Sequence, residues 1–267
     1  INPALISSIK FSSGGFGAEY GDKMSSVLDI QYLHPRNFGG SMSVSLLGAD
    51  FSLHGISKNR KFTYLIGSRY KTNRYLLNSL ETKGEYQPRF LDFQSLFTYR
   101  FNKRWKLSLL TYFSDNQYQV IPKNRQTDFG TVQQTLRFTV YFNGQEVDNN
   151  QITQSGLTLL YKPNSTTNLQ FILSNFQTHE SETYDIQGQY WIGQVENRSG
   201  AEKQDEVVQT LGVGTYLEHA RNYFYANVLS FEHKGSFSAG KQYLRWGLRY
   251  QFQQVDDRLQ EWEMNDS

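Results

Sequence analysis

The polarity of this chain alternates with a period of two. From 91 to 102, Leu91, Phe93, Phe97, Tyr99 and Phe101 share one parity, and Asp92, Gln94, Thr98, Arg100 and Asn102 share the other. Successive side chains of a strand point to opposite faces, so the segment builds one apolar face and one polar face. The pattern recurs at 244–253, where Leu244, Trp246, Leu248, Tyr250 and Phe252 oppose Arg245, Gly247, Arg249, Gln251 and Gln253. Phe62, Tyr64, Ile66 and Tyr70 oppose Thr63, Gly67, Arg69 and Lys71. Trp105, Leu107, Leu109 and Phe113 oppose Lys106, Ser108 and Ser114, and Met42, Val44 and Leu46 oppose Ser41, Ser43 and Ser45. Each segment predicts a strand of about 9–11 residues, the length a tilted strand needs to cross a hydrocarbon layer.

The connections predicted between strands alternate in length. Short polar turns are expected at 57–60, 102–104, 163–166 and 220–222, and long stretches at 72–89, 115–152 and 177–207. A soluble β-sandwich also alternates polarity, but nothing in it requires every second connection to be long. Outer-membrane barrels carry short turns on one side and long loops on the other. Residues 234–240 read either as a short return strand or as a loop; as a strand they bring the wall to about eleven strands. The long stretches are rich in aromatic and amide side chains. Tyr118, Arg125, Tyr184, Tyr190 and Trp191 are candidate ligand contacts there, because ring faces bury apolar patches while polar groups satisfy hydroxyls or peptide groups. The competing reading puts these aromatics at a membrane boundary or on strands extended above it. Within 132–142, Val132, Leu136, Phe138, Val140 and Phe142 alternate well enough to extend as a hairpin.

Composition narrows the classes. Hydrophobic residues make up 38% and aromatics 15%, with 18 Tyr and 19 Phe; a soluble enzyme carries more Ala, Leu and Val and fewer rings. Mean hydropathy is −0.61, and no apolar run approaches the roughly 18 residues of a membrane helix. A helical membrane protein is thereby excluded, whereas a barrel, polar on average, is not. The formal net charge is +2, from 27 basic and 25 acidic residues, and the basic residues are scattered along the sequence, so nucleic-acid binding is not indicated. With 0 cysteines there is no disulfide framework and no thiolate chemistry. The start at Ile1-Asn2-Pro3 has neither a basic n-region nor an apolar h-region, and the polar end at 261–267 closes no strand on an aromatic, so the sequence reads as an internal stretch of a longer protein.

Few residues point to chemistry. Gly14-Gly15-Phe16-Gly17 lacks the Lys-Ser/Thr pair and the helix of a phosphate-binding loop; glycines there serve a tight turn and close backbone approach. His34, His54, His179, His219 and His233 show no spacing that builds a nucleophile–base pair, so no catalytic residue is assigned. His179-Glu180-Ser181-Glu182 offers imidazole and carboxylates, but on an extended segment His179 and Ser181 face away from Glu180 and Glu182. No metal or other cofactor is expected.

The segment 9–32, IKFSSGGFGAEYGDKMSSVLDIQY, followed by the amphipathic strands, resembles the last stretch of the plug of a TonB-dependent outer-membrane receptor of the Bacteroidota type and the start of its barrel. The resemblance implies an all-β fold: residues 1–35 as the C-terminal end of the plug, and 36–267 as the N-terminal part of an antiparallel transmembrane β-barrel, about eleven of about twenty-two strands. Gly14, Gly15, Gly17, Tyr20 and Gly21 match the plug-end pattern, with a structural role in a region that packs on the inner wall. The implied function is energy-coupled import of a scarce solute, such as a glycan, peptide, siderophore or cobalamin-like molecule, across the bacterial outer membrane. The implied partners are outer-membrane lipid, the TonB energy-coupling complex acting through a segment N-terminal to the plug, and the surface lipoprotein lid that many such receptors carry. A plug-less porin or adhesion-related barrel is the alternative, followed by a barrel hydrolase.

Overall fold

The computed structural model describes residues 2–266, apart from 16, 18–19, 21–24, 75–76, 78–83, 132–133 and 198–203. The chain forms two separate antiparallel sheets. The first is a hairpin of β1 (Ile6–Ser12) and β2 (Val27–Tyr32), which among the described residues pair only with each other, from Ser12↔Val27 to Ile6↔Tyr32. A single 3-10 turn, Pro3–Leu5, precedes it. Pro3 presets the turn, and the Asn2 side chain caps it by accepting the Ala4 N–H at 3.0 Å.

The second sheet begins at β3 (Gly39–Ser45) and continues through β4 (Gly48–Ile56), β5 (Phe62–Lys71), β6 (Gly84–Tyr86), β7 (Arg89–Arg100) and β8 (Trp105–Pro122). It goes on through β9 (Arg125–Gly130), β10 (Thr135–Tyr161), β11 (Thr167–Val195), β12 (Val207–Ala239), β13 (Gln242–Arg258) and β14 (Glu261–Asp266). Strands pair in chain order. β6 continues β7 along β8, β9 continues β8 along β10, and β14 continues β13 along β12. The sheet is not closed: β3 lies at one edge and β13 with β14 at the other.

The alternation puts apolar side chains outward and polar ones inward, the inverse of a soluble core. A row of direct cross-strand partners, Tyr64, Phe97, Leu109, Leu157, Leu173, Phe231 and Tyr250, runs across the apolar face. Leu173 is 49% and Tyr250 70% exposed, while Asp92 and Gln94 on the other face are 7% and 1% exposed.

Several expectations need correction. Residues 220–222 do not turn; they lie inside β12, which runs unbroken to Ala239 and absorbs most of 234–240. The polar groups there bond sideways instead. Arg221 Nη1 donates to the Tyr184 carbonyl at 2.9 Å, and Asn222 Oδ1 accepts the Gln260 N–H at 3.1 Å. Counting each continued pair once, the wall has fewer strand positions than the roughly eleven expected, because one long strand replaces several short ones. The stretches 115–152 and 177–207 are likewise mostly strand, with β10, β11 and β12 reaching 27, 29 and 33 residues. Val132 lies outside the described residues.

The short turns at 57–60, 102–104 and 163–166 are found where expected, each built on an asparagine. Asn59, Asn102 and Asn164 accept the backbone N–H two residues on, at 3.1, 2.8 and 3.1 Å, the turn chemistry for which Asn is favoured.

Candidate functional site

Two arrangements occupy the polar face. The first seats the N-terminal hairpin on the sheet. Leu5 (0% exposed) and Asn2 (2%) lie over Gly67 of β5. A Cβ at Gly67 would stand 2.8 Å from Asn2 Nδ2 and 2.9 Å from Leu5 Cδ1, so the missing side chain is what permits the approach. Gln94 of β7 then joins both ends of the segment: its Oε1 accepts the Asn2 N–H at 3.2 Å, and its Nε2 donates to the Tyr32 hydroxyl. Beside it, Arg69 forks onto Asp92 with Nε and Nη2 at 2.9 and 2.6 Å from Oδ2. Beyond Tyr32, a cavity of about 810 Å³ separates 30–36 from Leu65, Leu96 and Leu110 of the wall.

Of the glycines matched to the plug-end pattern, Gly14, Gly15 and Gly17 are among the described residues. Gly14 and Gly15 are exposed with open space around them, and Gly15 has φ +62°, so a turn explains it and close approach does not. Gly17 is exposed, and its carbonyl accepts the Tyr20 N–H at 3.0 Å. The Tyr20 ring lies under the Lys234 ammonium of β12 at 5.3 Å, a bridge from the hairpin loop to the wall. Gly21 lies outside the described residues.

The second arrangement lies further along the same face, toward the hairpin tips. Tyr118, Asp148, Glu182 and Asn222 are successive cross-strand partners, and Glu146 pairs with Tyr184 in the neighbouring row. Carboxylate oxygens of Glu146, Asp148 and Glu182 lie within 4.8 Å of one another. Burial first, then the Asp148, Glu182 and Glu218 carboxylates, pushes Glu146 above the ordinary carboxylate range; burial and then Glu182 do the same to Asp148. Burial first also raises the Tyr118, Tyr184 and Tyr216 hydroxyls, followed by Tyr86, Glu146 and Asp148 at Tyr118, by Glu261 and Glu182 at Tyr184, and by Glu218 at Tyr216. Asp148 Oδ1 is buried without a hydrogen-bond partner among the described residues. Three crowded oxygen donors, ringed by tyrosines, suit a hard divalent cation or a cationic ligand group.

Of the candidate loop residues, Tyr118 and Tyr184 border this carboxylate group. Arg125 stacks over Phe142 at 5.5 Å, Phe142 meets Tyr216 edge-on at 6.4 Å, and Tyr190 leans on Phe138 at 6.1 Å, all on the same face. Trp191 has the opposite parity; it packs edge-on against Tyr141 at 5.1 Å on the outward face and does not join them. His179 packs tilted against Tyr225 on the outward face, away from Glu180 and Glu182. Sequence reasoning missed Glu146 and Asp148, since their partner Glu182 is contributed by another strand; their i, i+2 spacing is the signal that puts both on one face.

Comparison with known proteins returned no match to this chain, from protein-family models or from curated protein sequences.

Proposed function

We propose that this chain is the end of a plug and the first part of the barrel wall of a TonB-dependent outer-membrane receptor, which imports a scarce solute through energy-coupled movement of the plug. One observation carries the reading: among the described residues the hairpin β1–β2 pairs with no strand of the large sheet, yet is held on that sheet's polar face by Asn2, Leu5 and Tyr32. The outward apolar row and the alternation of asparagine turns with long hairpins support a wall that crosses lipid. A plug-less porin or adhesion barrel gives no account of a separately paired hairpin on the inner face. The Tyr118–Glu146–Asp148–Tyr184 surface lies on the long-hairpin side, where an external ligand arrives.

Labelling of intact cells tests this. The chain has no cysteine, so single cysteines report alone. Replacements at Asn124 and Gln189 are expected to react with an impermeant thiol reagent, and those at Asn59 and Lys103 only after the outer membrane is breached. The reverse pattern inverts the barrel; equal reaction at all four sites in a fractionated soluble protein rejects it.

A further inference from the structure

Rows of cross-strand partners on the polar face floor the cavity beneath residues 30–36. The first row, Leu65, Leu96, Leu110 and Gly156, is apolar. The next, Thr63, Thr98, Ser108 and Thr158, carries hydroxyls, and those of Thr98 and Ser108 bond each other at 3.0 Å. The last holds Arg100 and Lys106, direct partners on β7 and β8. Lys61 lies beside them, its carbonyl accepting the Arg100 N–H at 2.7 Å. Ile30, Leu33 and Pro35 close the space from above. Along the strands the cavity therefore changes in one direction, from leucines to hydroxyls to cations.

Like charges directly opposite each other destabilise a sheet, and among the described residues no carboxylate lines this cavity. Arg100 and Lys106 repel each other unless an anion joins them. A carboxylate meets that need, since guanidinium and ammonium groups bind its oxygens by charge-assisted hydrogen bonds. The leucine row adds a second requirement, because a small free anion leaves it uncovered. Arg100 and Leu96 are four positions apart on β7, about 13 Å along a strand. The space of about 810 Å³ thus has room for an apolar body beyond the charged group. The positive charge also continues toward the turns. A smaller recess of about 280 Å³ shares Arg100, Lys106 and Leu160 with the cavity and adds Lys103, Arg104 and Lys162, a path of one sign that draws anions in from the short-turn end.

We propose that this cavity binds an amphipathic organic anion, its carboxylate between Arg100 and Lys106 and its apolar body along Leu65, Leu96 and Leu110 under the 30–36 segment. The Tyr118–Glu146–Asp148–Tyr184 surface is a separate place, where carboxylates crowd and such a ligand is repelled. The cavity's walls all belong to this chain, so the binding does not require the transport reading above.

Equilibrium dialysis of the full-length protein in neutral detergent, with a detergent-only blank and radiolabelled octanoate, tests this. Saturable binding of octanoate is expected. Neither acetate, which lacks the apolar body, nor octylammonium, which reverses the charge, is expected to displace it at equal concentration. R100Q/K106Q is expected to weaken binding at least about tenfold, since hydrogen bonds to charged groups are among the stronger ones, and R100K/K106R to retain it. G156F probes the apolar half without touching a cation. A Cβ at Gly156 would meet only Ser174 Cβ, at 4.0 Å, so the wall tolerates a side chain there and a ring would occupy the cavity. That variant is expected to abolish octanoate binding, and it alone decides if R100Q/K106Q fails to fold. Octanoate binding no greater than the blank, or unchanged in G156F or in folded R100Q/K106Q, overturns the proposal. Displacement by acetate reduces the site to one for simple anions, and displacement by octylammonium removes the role of charge; either result overturns it. The cysteine-labelling pattern, and with it the membrane reading, is untouched by all of these outcomes.

Discussion

At the scale of single residues, Gln94 and Gly67 hold the N-terminal segment on the wall. Burial of one leucine side chain such as Leu5 is worth about 1.5–3 kcal/mol, and each hydrogen bond from Gln94 adds about 1 kcal/mol net. Gln94→Leu leaves the Tyr32 hydroxyl and the Asn2 N–H without their partner. It is expected to speed amide hydrogen exchange in β2 while leaving β8 unchanged. Gly67→Leu, which puts a side chain where Leu5 sits, is expected to free the segment altogether, seen as proteolysis between residues 5 and 35 in folded protein. Uniform destabilisation of both sheets in these variants would show that the hairpin is not an independently held unit. On the outward face, Leu173→Arg introduces a charge into the middle of the apolar row and is expected to cost about 2–4 kcal/mol in a lipid-spanning wall. Gln253→Arg, on the polar parity of β13, is expected to be near neutral in the same urea titration. Equal effects at the two sites would contradict the assignment of faces.

At the scale of elements, the turns and the long hairpins follow different rules. The asparagine turns are local: Asn102→Ala removes the acceptor of the Arg104 and Trp105 N–H groups, at 2.8 and 3.0 Å, and is expected to cost about 1 kcal/mol, as loss of a capping oxygen does. Such turns were legible in the sequence because the signal sits within four residues, and the amphipathic strands because apolar alternation is strong where one face is greasy. The long hairpins were legible only in part: Leu136, Phe138, Val140 and Phe142 alternate and lie in β10, but much of 115–152 and 177–207 is polar and lacks that contrast. Their strands are held by cross-strand groupings that no local window contains: Arg137 joins Asp128 at 2.8 Å to Asp205 at 2.6 Å, and Glu182 meets Asp148 from a different strand. The carboxylate group carries its own pH signature. The folded pKa values of Glu146 and Asp148 are raised, so the folded state favours their protonated forms. Their contribution to stability is greatest below the ordinary carboxylate range and falls as pH rises through it toward the raised values. Glu146→Gln is therefore expected to raise the melting temperature at pH 7 relative to the native chain, with the difference shrinking toward pH 4. A constant difference at both values would show that the carboxylates do not repel one another.

At the scale of the whole molecule, the open edges decide what the sheet can do. β3 presents Met42 and Val44 at 74% and 70% exposure, with Leu46 in the turn after it at 82%, and β13 presents Leu248 and Tyr250 at 66% and 70%. Among the described residues, β4, β5, β7, β8, β10, β11 and β12 have strand partners on both sides; at the outer strands β3 and β13, one row of backbone N–H and C=O groups has no strand partner, as is also the case for the short β6, β9 and β14. In a hydrocarbon layer each such unpaired group costs several kcal/mol, which leaves a closed barrel as the only stable sheet. If the sheet spans lipid, as proposed, its open edges at β3 and β13 require pairing partners. In the intact protein in detergent or lipid, the amides of Met42–Ser45 and of Leu248–Phe252 are expected to resist hydrogen exchange as strongly as those of Leu107–Leu110 in the middle of the sheet. Protection at β8 with rapid exchange at both edges would mean that the sheet stays open, and would remove the barrel on which the transport reading depends.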